Sequence, residues 1–217
     1  MSRVNCDFDG DGRAEILVTS PWGLGILKRS GSTLTSLTMA PNGTRFGEWL
    51  LNTADNKFSS VADFDGDGRA EILATSPWGL GILKLSGSTL TSSTMAPNGT
   101  RFGEWLLNTA DNNFYAVSDP DGDRHAKILA TSPWGLGILK RSGNTLTSST
   151  MAPNGTRFGE WLLNTADNRF SSVADFDGDG RAQILVTSPW GLGILKRSGN
   201  TLTSSTMAPN GTSPRIY

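Results

Sequence analysis

One text occupies this chain four times. DFDGDGRAEILVTSPWGLGILK begins at Asp7, and close copies begin at Asp63, Asp119 and Asp175, each 56 residues after the last. The copy at 63–118 differs from the copy at 7–62 at only seven positions. A fixed period of this length marks a repeat array. Each unit is one supersecondary element that cannot bury its apolar face alone, so a neighbour must cover it. Near-identity also means near-identical surfaces. Whatever one copy binds, the chain can bind several times.

Within one copy, four short runs read as strands. Phe58–Ala62 alternates apolar and small residues, Glu71–Ser76 is an apolar run stopped by Pro77, Leu80–Lys84 is a third, and Thr89–Met95 alternates again before Ala96-Pro-Asn-Gly99. Enrichment in Thr and β-branched residues, short runs, and Gly, Pro or Asn-Gly stops all point to strands. No window free of Gly and Pro keeps a helical apolar period. The glycines around each Trp, as in Trp22-Gly-Leu-Gly25, predict a tight hairpin between the second and third strands. They also lead us to expect Trp22 to pack against a close backbone. The fold class is all-β, and four antiparallel strands at this period predict a β-propeller blade. A β-solenoid is the alternative, but its coils are usually shorter.

The pieces can be counted. The acidic text occurs four times, whereas RFGEWLLNTADN occurs three times, at Arg45–Asn56, Arg101–Asn112 and Arg157–Asn168. This gives a single array of four blades, about 1–44, 45–100, 101–156 and 157–217, with three linkers. An open array of four exposes two blade faces, which is an aggregation hazard. Two chains closing an eight-bladed ring with C2 symmetry, a homodimer, is the expected remedy.

Composition excludes several functions. The net charge is -1, and Lys and Arg recur singly, as at Lys28, Lys84, Lys140 and Lys196. There is no basic patch for nucleic acid. No stretch reaches the roughly 18 apolar residues that a membrane span requires, so no membrane insertion is expected. The N-terminus shows no apolar signal region, and no secretory leader is expected there. Cys6 is the only cysteine, which rules out an intrachain disulfide and suggests a packing residue. His125 is the only histidine, so a Ser-His-Asp or Cys-His centre cannot recur with the repeat. Carboxylate pairs such as Glu48 with Asp55 exist, but four near-identical copies are a poor way to build one asymmetric active site. No catalytic residues are assigned, and an enzyme is not expected.

Asp7, Asp9 and Asp11 alternate with Gly10 and Gly12, and Glu15 takes the ninth place. Carboxylates folded into one turn repel unless a cation lies among them, and hard oxygen donors at this density select Ca²⁺. Gly12 permits the left-handed turn, and the carbonyl of Arg13 supplies a further donor. Asp63, Asp65, Asp67, Arg69 and Glu71 repeat the set, and Asp175, Asp177 and Asp179 repeat most of it with Gln183 in the Glu place. Asp119-Pro-Asp-Gly-Asp-Arg124-His-Ala-Lys127 puts an ammonium where the others have an acid or amide. Its Arg124, in a left-handed turn, costs about 1 kcal/mol or more. The expected order of calcium binding is the first two loops, then the Asp175 loop, with the Asp119 loop weak or empty. The other reading is an Asp/Gly turn held by hydrogen bonds alone.

The text from Phe58 to Leu73 resembles the FG-GAP/VCBS repeat of integrin-α-like β-propellers. The resemblance implies that the acidic loop lies between the first two strands of a blade and binds Ca²⁺, and it implies an extracellular or cell-surface setting. Glu15 and Glu71 stand where that family usually has Asp.

Two further constellations recur. One is Ser20-Pro-Trp22-Gly-Leu-Gly25. The other is the linker, with Arg45, Trp49, Asn52 and Asp55, then Arg101, Trp105, Asn108 and Asp111, then Arg157, Trp161, Asn164 and Asp167. An aromatic face beside amides and carboxylates suits a pyranose, and the linker sets are the candidate glycan sites. The competing reading of Trp49 is inter-blade packing. The Gly47-Glu-Trp49 text more distantly resembles fungal propeller lectins of the Psathyrella velutina type, which bind N-acetylglucosamine between blades. The basic residues those lectins carry after the Trp are replaced here by Asn52, Asp55 and Asn56. Asn42-Gly43-Thr44 and its counterparts form glycosylation sequons, read more simply as Asn-Gly turns. The functional expectation is a multivalent lectin supported by calcium loops. The alternative is a non-enzymatic protein-interaction scaffold.

Overall fold

The computed structural model describes residues 6–211. The innermost strand expected before Asp7 and Thr212 of the last sequon lie outside the described residues. No helix occurs among the described residues, and none is therefore long and apolar enough to cross a membrane.

Each blade forms one antiparallel sheet whose strands are ordered as in the sequence, the first of them, where it is described, from the end of the preceding copy. The second blade has Lys57–Ala62, Glu71–Ser76, Gly79–Ser86 and Thr89–Pro97, within a few residues of the four runs read from its sequence. The third has Asn113–Val117, Lys127–Ser132, Gly135–Ser142 and Thr145–Pro153, and the fourth has Arg169–Ala174, Gln183–Ser188, Gly191–Ser198 and Thr201–Pro209. The first shows three strands among the described residues, Ile16–Ser20, Gly23–Ser30 and Thr33–Pro41. These repeated four-stranded meanders have the form of propeller blades. The linkers each carry a small hairpin, such as Arg45–Phe46 paired with Trp49–Leu50.

The chain divides into two compact units. One runs to Ala110 and takes in Lys140–Thr147, and the other comprises Asp111–Leu139 and the chain from Ser148 onward. Each unit has a core built in the same way. In the first unit, Phe8, Leu24 and Ile26 of the first copy meet Ile72, Ala74, Leu83 and Leu90 of the second, with Phe46, Trp49 and Leu51 of the linker among them. In the second unit, Leu136 and Ile138 meet Ile184, Leu195 and Leu202, with Phe158, Trp161 and Leu163. One copy's apolar face is covered by the next, which is why a single copy does not suffice. The strand Glu71–Ser76 is buried along most of its length on both faces and therefore reads as an apolar run rather than an alternation.

Candidate functional site

The two kinds of Trp have opposite environments, and both expectations about them need correction. Trp49, Trp105 and Trp161 are 3–4 % exposed. A Cβ placed on Gly81 would lie 2.7 Å from Cε3 of Trp49, and one on Gly193 would lie 2.6 Å from Cε3 of Trp161. The linker indole thus lies flat on a glycine of the following copy, and only a missing side chain makes room for it. Its Nε1 donates to Asn56 Oδ1 at 3.1 Å in the first linker and to Asn168 Oδ1 at 3.0 Å in the third. Such a ring offers no face to a sugar. The glycine signal was read as packing for Trp22, but the indole that uses it comes from the preceding linker.

The other linker residues divide. Asn52 Nδ2 donates to Asp55 Oδ2 at 2.6 Å, its Oδ1 accepts from the Ala54 amide at 3.1 Å, and its own amide donates to Asn56 Oδ1. Asn164 and Asp167 repeat the arrangement. Asn52 and Asn164 thus hold the linker turn, and Asn108 is half-buried in the same place. Arg45, Arg101 and Arg157, with Asp55, Asp111 and Asp167, are exposed.

Trp22, Trp78, Trp134 and Trp190 are 82–83 % exposed. Each sits at the tip of the predicted hairpin, as in Ser20↔Gly23 of the first copy. The backbone beneath is fixed on every side. The Trp22 amide donates to Ser20 Oγ at 3.2 Å, and the Trp22 carbonyl accepts from the Asn42 amide at 2.9 Å. Asn42 Nδ2 donates to Pro21 O at 2.9 Å and to Thr53 Oγ1 at 3.1 Å, while its Oδ1 accepts from the Thr53 amide at 2.9 Å. Thr53 Oγ1 in turn donates to Ser20 O at 2.7 Å. Asn98 with Thr109 and Asn154 with Thr165 repeat this network. Asn42 is therefore an Asn-Gly turn residue, as expected, with Gly43 at φ 89°. It also joins the two constellations that look separate in sequence, because the linker's Thr53 closes onto the Trp22 tip. Nothing in the spacing of 31 residues between Trp22 and Thr53 signals this.

The acidic loops close as turns. Asp7 accepts from Gly10 at 2.7 Å and from Gly12 at 2.8 Å, with Gly12 at φ 85°. Asp63 and Asp175 do the same. In each of the four loops, one oxygen from each of at least three carboxylates lies within 4.8 Å of the others, so each cluster could hold a metal ion. A lysine reaches every loop. Lys28 meets Asp9 and, at 2.7 Å, Asp11. Lys84 meets Asp65 and Asp67, and Lys196 meets Asp177 and Asp179. Hydrogen bonds to Asp11 and Asp9 push the Lys28 ammonium well above its usual range, and the bond from Lys196 brings Asp177 down to about 2. Burial pushes Glu71 up to about 7, against the pull of Arg141, and burial also raises Glu15. In the third loop Asp119 and Arg124 have φ 45° and 71°, the strain foreseen for Arg124. Cys6 is half-buried against the first core, and burial raises its thiol, which is the wrong direction for a nucleophile.

Comparison with known proteins agrees with the repeat and with the fold. Residues 7–74 match the FG-GAP-like repeat family. No curated protein matches the chain. Among solved structures, a similar one is a lectin of Agrocybe aegerita, described for its specific recognition of non-reducing terminal N-acetylglucosamine. The TM-score is 0.61 at 19% identity, over 96% of this chain and 52% of that one. The chain thus spans about half the length of that lectin and shares its fold.

Proposed function

We propose that this chain is a non-enzymatic, multivalent carbohydrate-binding protein whose sugar platforms are Trp22, Trp78, Trp134 and Trp190. One observation carries the reading: four indoles stand 82–83 % exposed on backbone that is hydrogen-bonded beneath them. An exposed Trp adds little to stability, and a large apolar ring held rigidly in water marks a recognition surface. Its face suits the apolar side of a pyranose, and polar groups at the rim suit the hydroxyls. Asp55, two residues from Thr53, and exposed Arg45 are the rim partners we assign, with Asp111, Arg101, Asp167 and Arg157 in the other linkers. The recognition of N-acetylglucosamine by the Agrocybe aegerita lectin supports a glycan as the ligand class. Individually weak sites gain about 10²–10⁴ in avidity when displayed on one scaffold.

In this reading calcium is structural. It is held by Asp, Glu and loop carbonyls such as that of Arg13, and it rigidifies a turn without taking part in chemistry. The array closes as a ring with a second copy of the chain. Two exposures support this closure. Leu34 is 55% exposed whereas Leu90 is 5%, and Phe176 is 45% exposed whereas Phe64 is 1%. The first and last sheets thus show apolar groups that inner copies bury. Light scattering is expected to give twice the chain mass, and a monomer would refute the ring of two chains.

The test of the main reading is a glycan array followed by calorimetry. The wild-type chain is expected to bind terminal-sugar ligands, and the variant with all four tip Trp changed to Ala should lose binding with its melting temperature unchanged. Retained binding would remove the platforms from the tips. Silence of the folded wild-type chain across all sugars would favour a protein-interaction scaffold.

A further inference from the structure

The four acidic loops differ in what else reaches them, and the differences follow a rule. In the second copy Glu71 Oε1 accepts from Arg141 Nη1 at 2.6 Å and from Ser93 Oγ at 3.4 Å. Arg141 comes from the following copy and also lies 3.4 Å from Asp65. In the third loop Arg197, again from the following copy, meets Asp121 at 2.6 Å. Lys127 Nζ reaches Asp121 at 2.9 Å, Asp123 at 2.6 Å and the carbonyl of His125 at 2.9 Å. Those are two carboxylates and the seventh-place carbonyl, the donor set expected to hold an ion. In the fourth loop Gln183 Nε2 donates to Asp177 at 2.7 Å and to the Arg181 carbonyl at 2.8 Å, one carboxylate and the carbonyl of that set. Its orientation is fixed because Gln183 Oε1 accepts from the Phe176 amide at 2.6 Å.

The first loop has none of these donors. The residue that corresponds to Arg141 and Arg197 is Leu85, and the one that corresponds to Ser93 is Leu37. Both pack in the apolar cluster that contains Phe8. Glu15 keeps its bond from the Phe8 amide through Oε2, at 2.7 Å. Its Oε1 is buried and has no hydrogen-bond partner, on a residue 4% exposed. In the third loop Asp119 Oδ1 and Asp121 Oδ1 are also buried without a hydrogen bond, but there the Lys127 ammonium already lies among the carboxylates, 2.9 Å from Asp121. Among the described residues the first loop is also the one with four carboxylates in one cluster. A buried carboxylate oxygen without a donor is costly.

We propose that the Asp7–Glu15 loop is the one loop of the four that takes a divalent cation, and that the other three are closed by this chain's own donors, Arg141, Lys127 and Gln183. The inference rests on the calcium reading above and sharpens it to one ion per chain. The buried donor at or beside the ninth place decides the difference, since Lys28, Lys84 and Lys196 are similarly exposed. Lys28 is 27% exposed on a flexible stem and can leave to solvent when an ion enters. Arg141 and Lys127 have side chains 9% and 1% exposed and cannot leave without stranding a buried charge. Hard oxygen donors select Ca²⁺ over softer ions.

The test is equilibrium dialysis of calcium against the EDTA-stripped full chain, with folding checked by circular dichroism. The wild type is expected to bind one ion. R141L/S93L, which gives the second loop the surroundings of the first, should raise this to two. L37S/L85R, which does the converse, should weaken the site at least tenfold. An Arg at the equivalent place is tolerated at 141. If L37S/L85R does not fold, the wild-type and R141L/S93L stoichiometries decide the matter. Two or more ions in the wild type would overturn the inference and leave the calcium reading standing. No ion in either the wild type or R141L/S93L would overturn both.

Discussion

Each full copy with its linker carries two tryptophans, and they share nothing but the side chain. The linker indole of Trp49 or Trp161 is 3–4 % exposed, hydrogen-bonded through Nε1 and seated on a glycine. The tip indole of Trp22 or Trp190 is 82–83 % exposed on a fixed turn. The contrast teaches that repetition alone does not separate function from packing. Both residues recur because the repeat recurs. What separates them is whether the next copy supplies a surface against the ring.

This contrast can be broken by substitution. The largest effect is expected at Trp161→Ala. Truncating a buried Trp should cost about 3–5 kcal/mol, read as a drop in the urea midpoint, and a cost below about 1 kcal/mol would mean that the ring is not core. Gly81→Ala comes next, because its Cβ would lie 2.7 Å from Trp49. Overpacking of this kind costs about 1–3 kcal/mol, whereas Gly87→Ala, with open space around it, should show only the backbone cost of its φ of 62°. Removing the link between tip and linker is smaller. Asn98→Ala loses the bonds to Pro77, Thr109 Oγ1 and the Thr109 amide. It should cost roughly 1–2 kcal/mol and speed hydrogen exchange at the Thr109 amide. Unchanged exchange there would show that the tip and linker are not coupled. The smallest effect is the most telling. Trp22→Ala should alter stability by no more than about 0.5 kcal/mol while reducing glycan binding. A loss of stability as large as that at Trp161 would return Trp22 to the core.

The acidic loops show the same division on a finer scale. The seven positions that separate the first copy from the second include Leu37 for Ser93 and Arg29 for Leu85. Each would pass as a neutral substitution on a repeat's surface. Their meaning appears only when Leu85 is seen in the cluster with Phe8 and Arg141 is seen on Glu71. That an ammonium stands among the carboxylates of the third loop was readable, because Lys127 takes the ninth place in the text. The role of Arg141 was not, because it acts on a loop 70 residues away.

The amino-acid sequence alone determined the period, the four strands of each copy, the hairpin beneath each Trp and the turn chemistry of Asp, Asn and Gly. These are local matters, set by alternation, by β-branched residues and by backbone that only glycine or a capped turn accommodates. It also determined that the acidic loops had diverged at Arg124, Lys127 and Gln183. Only the tertiary structure decided which Trp faces water, that Asn42 and Thr53 join tip to linker, and which loop leaves its ninth-place side chain with an unpartnered oxygen. Those outcomes depend on what one copy places against the next. A near-perfect repeat gives every copy the same local text, so the differences arise from its neighbours.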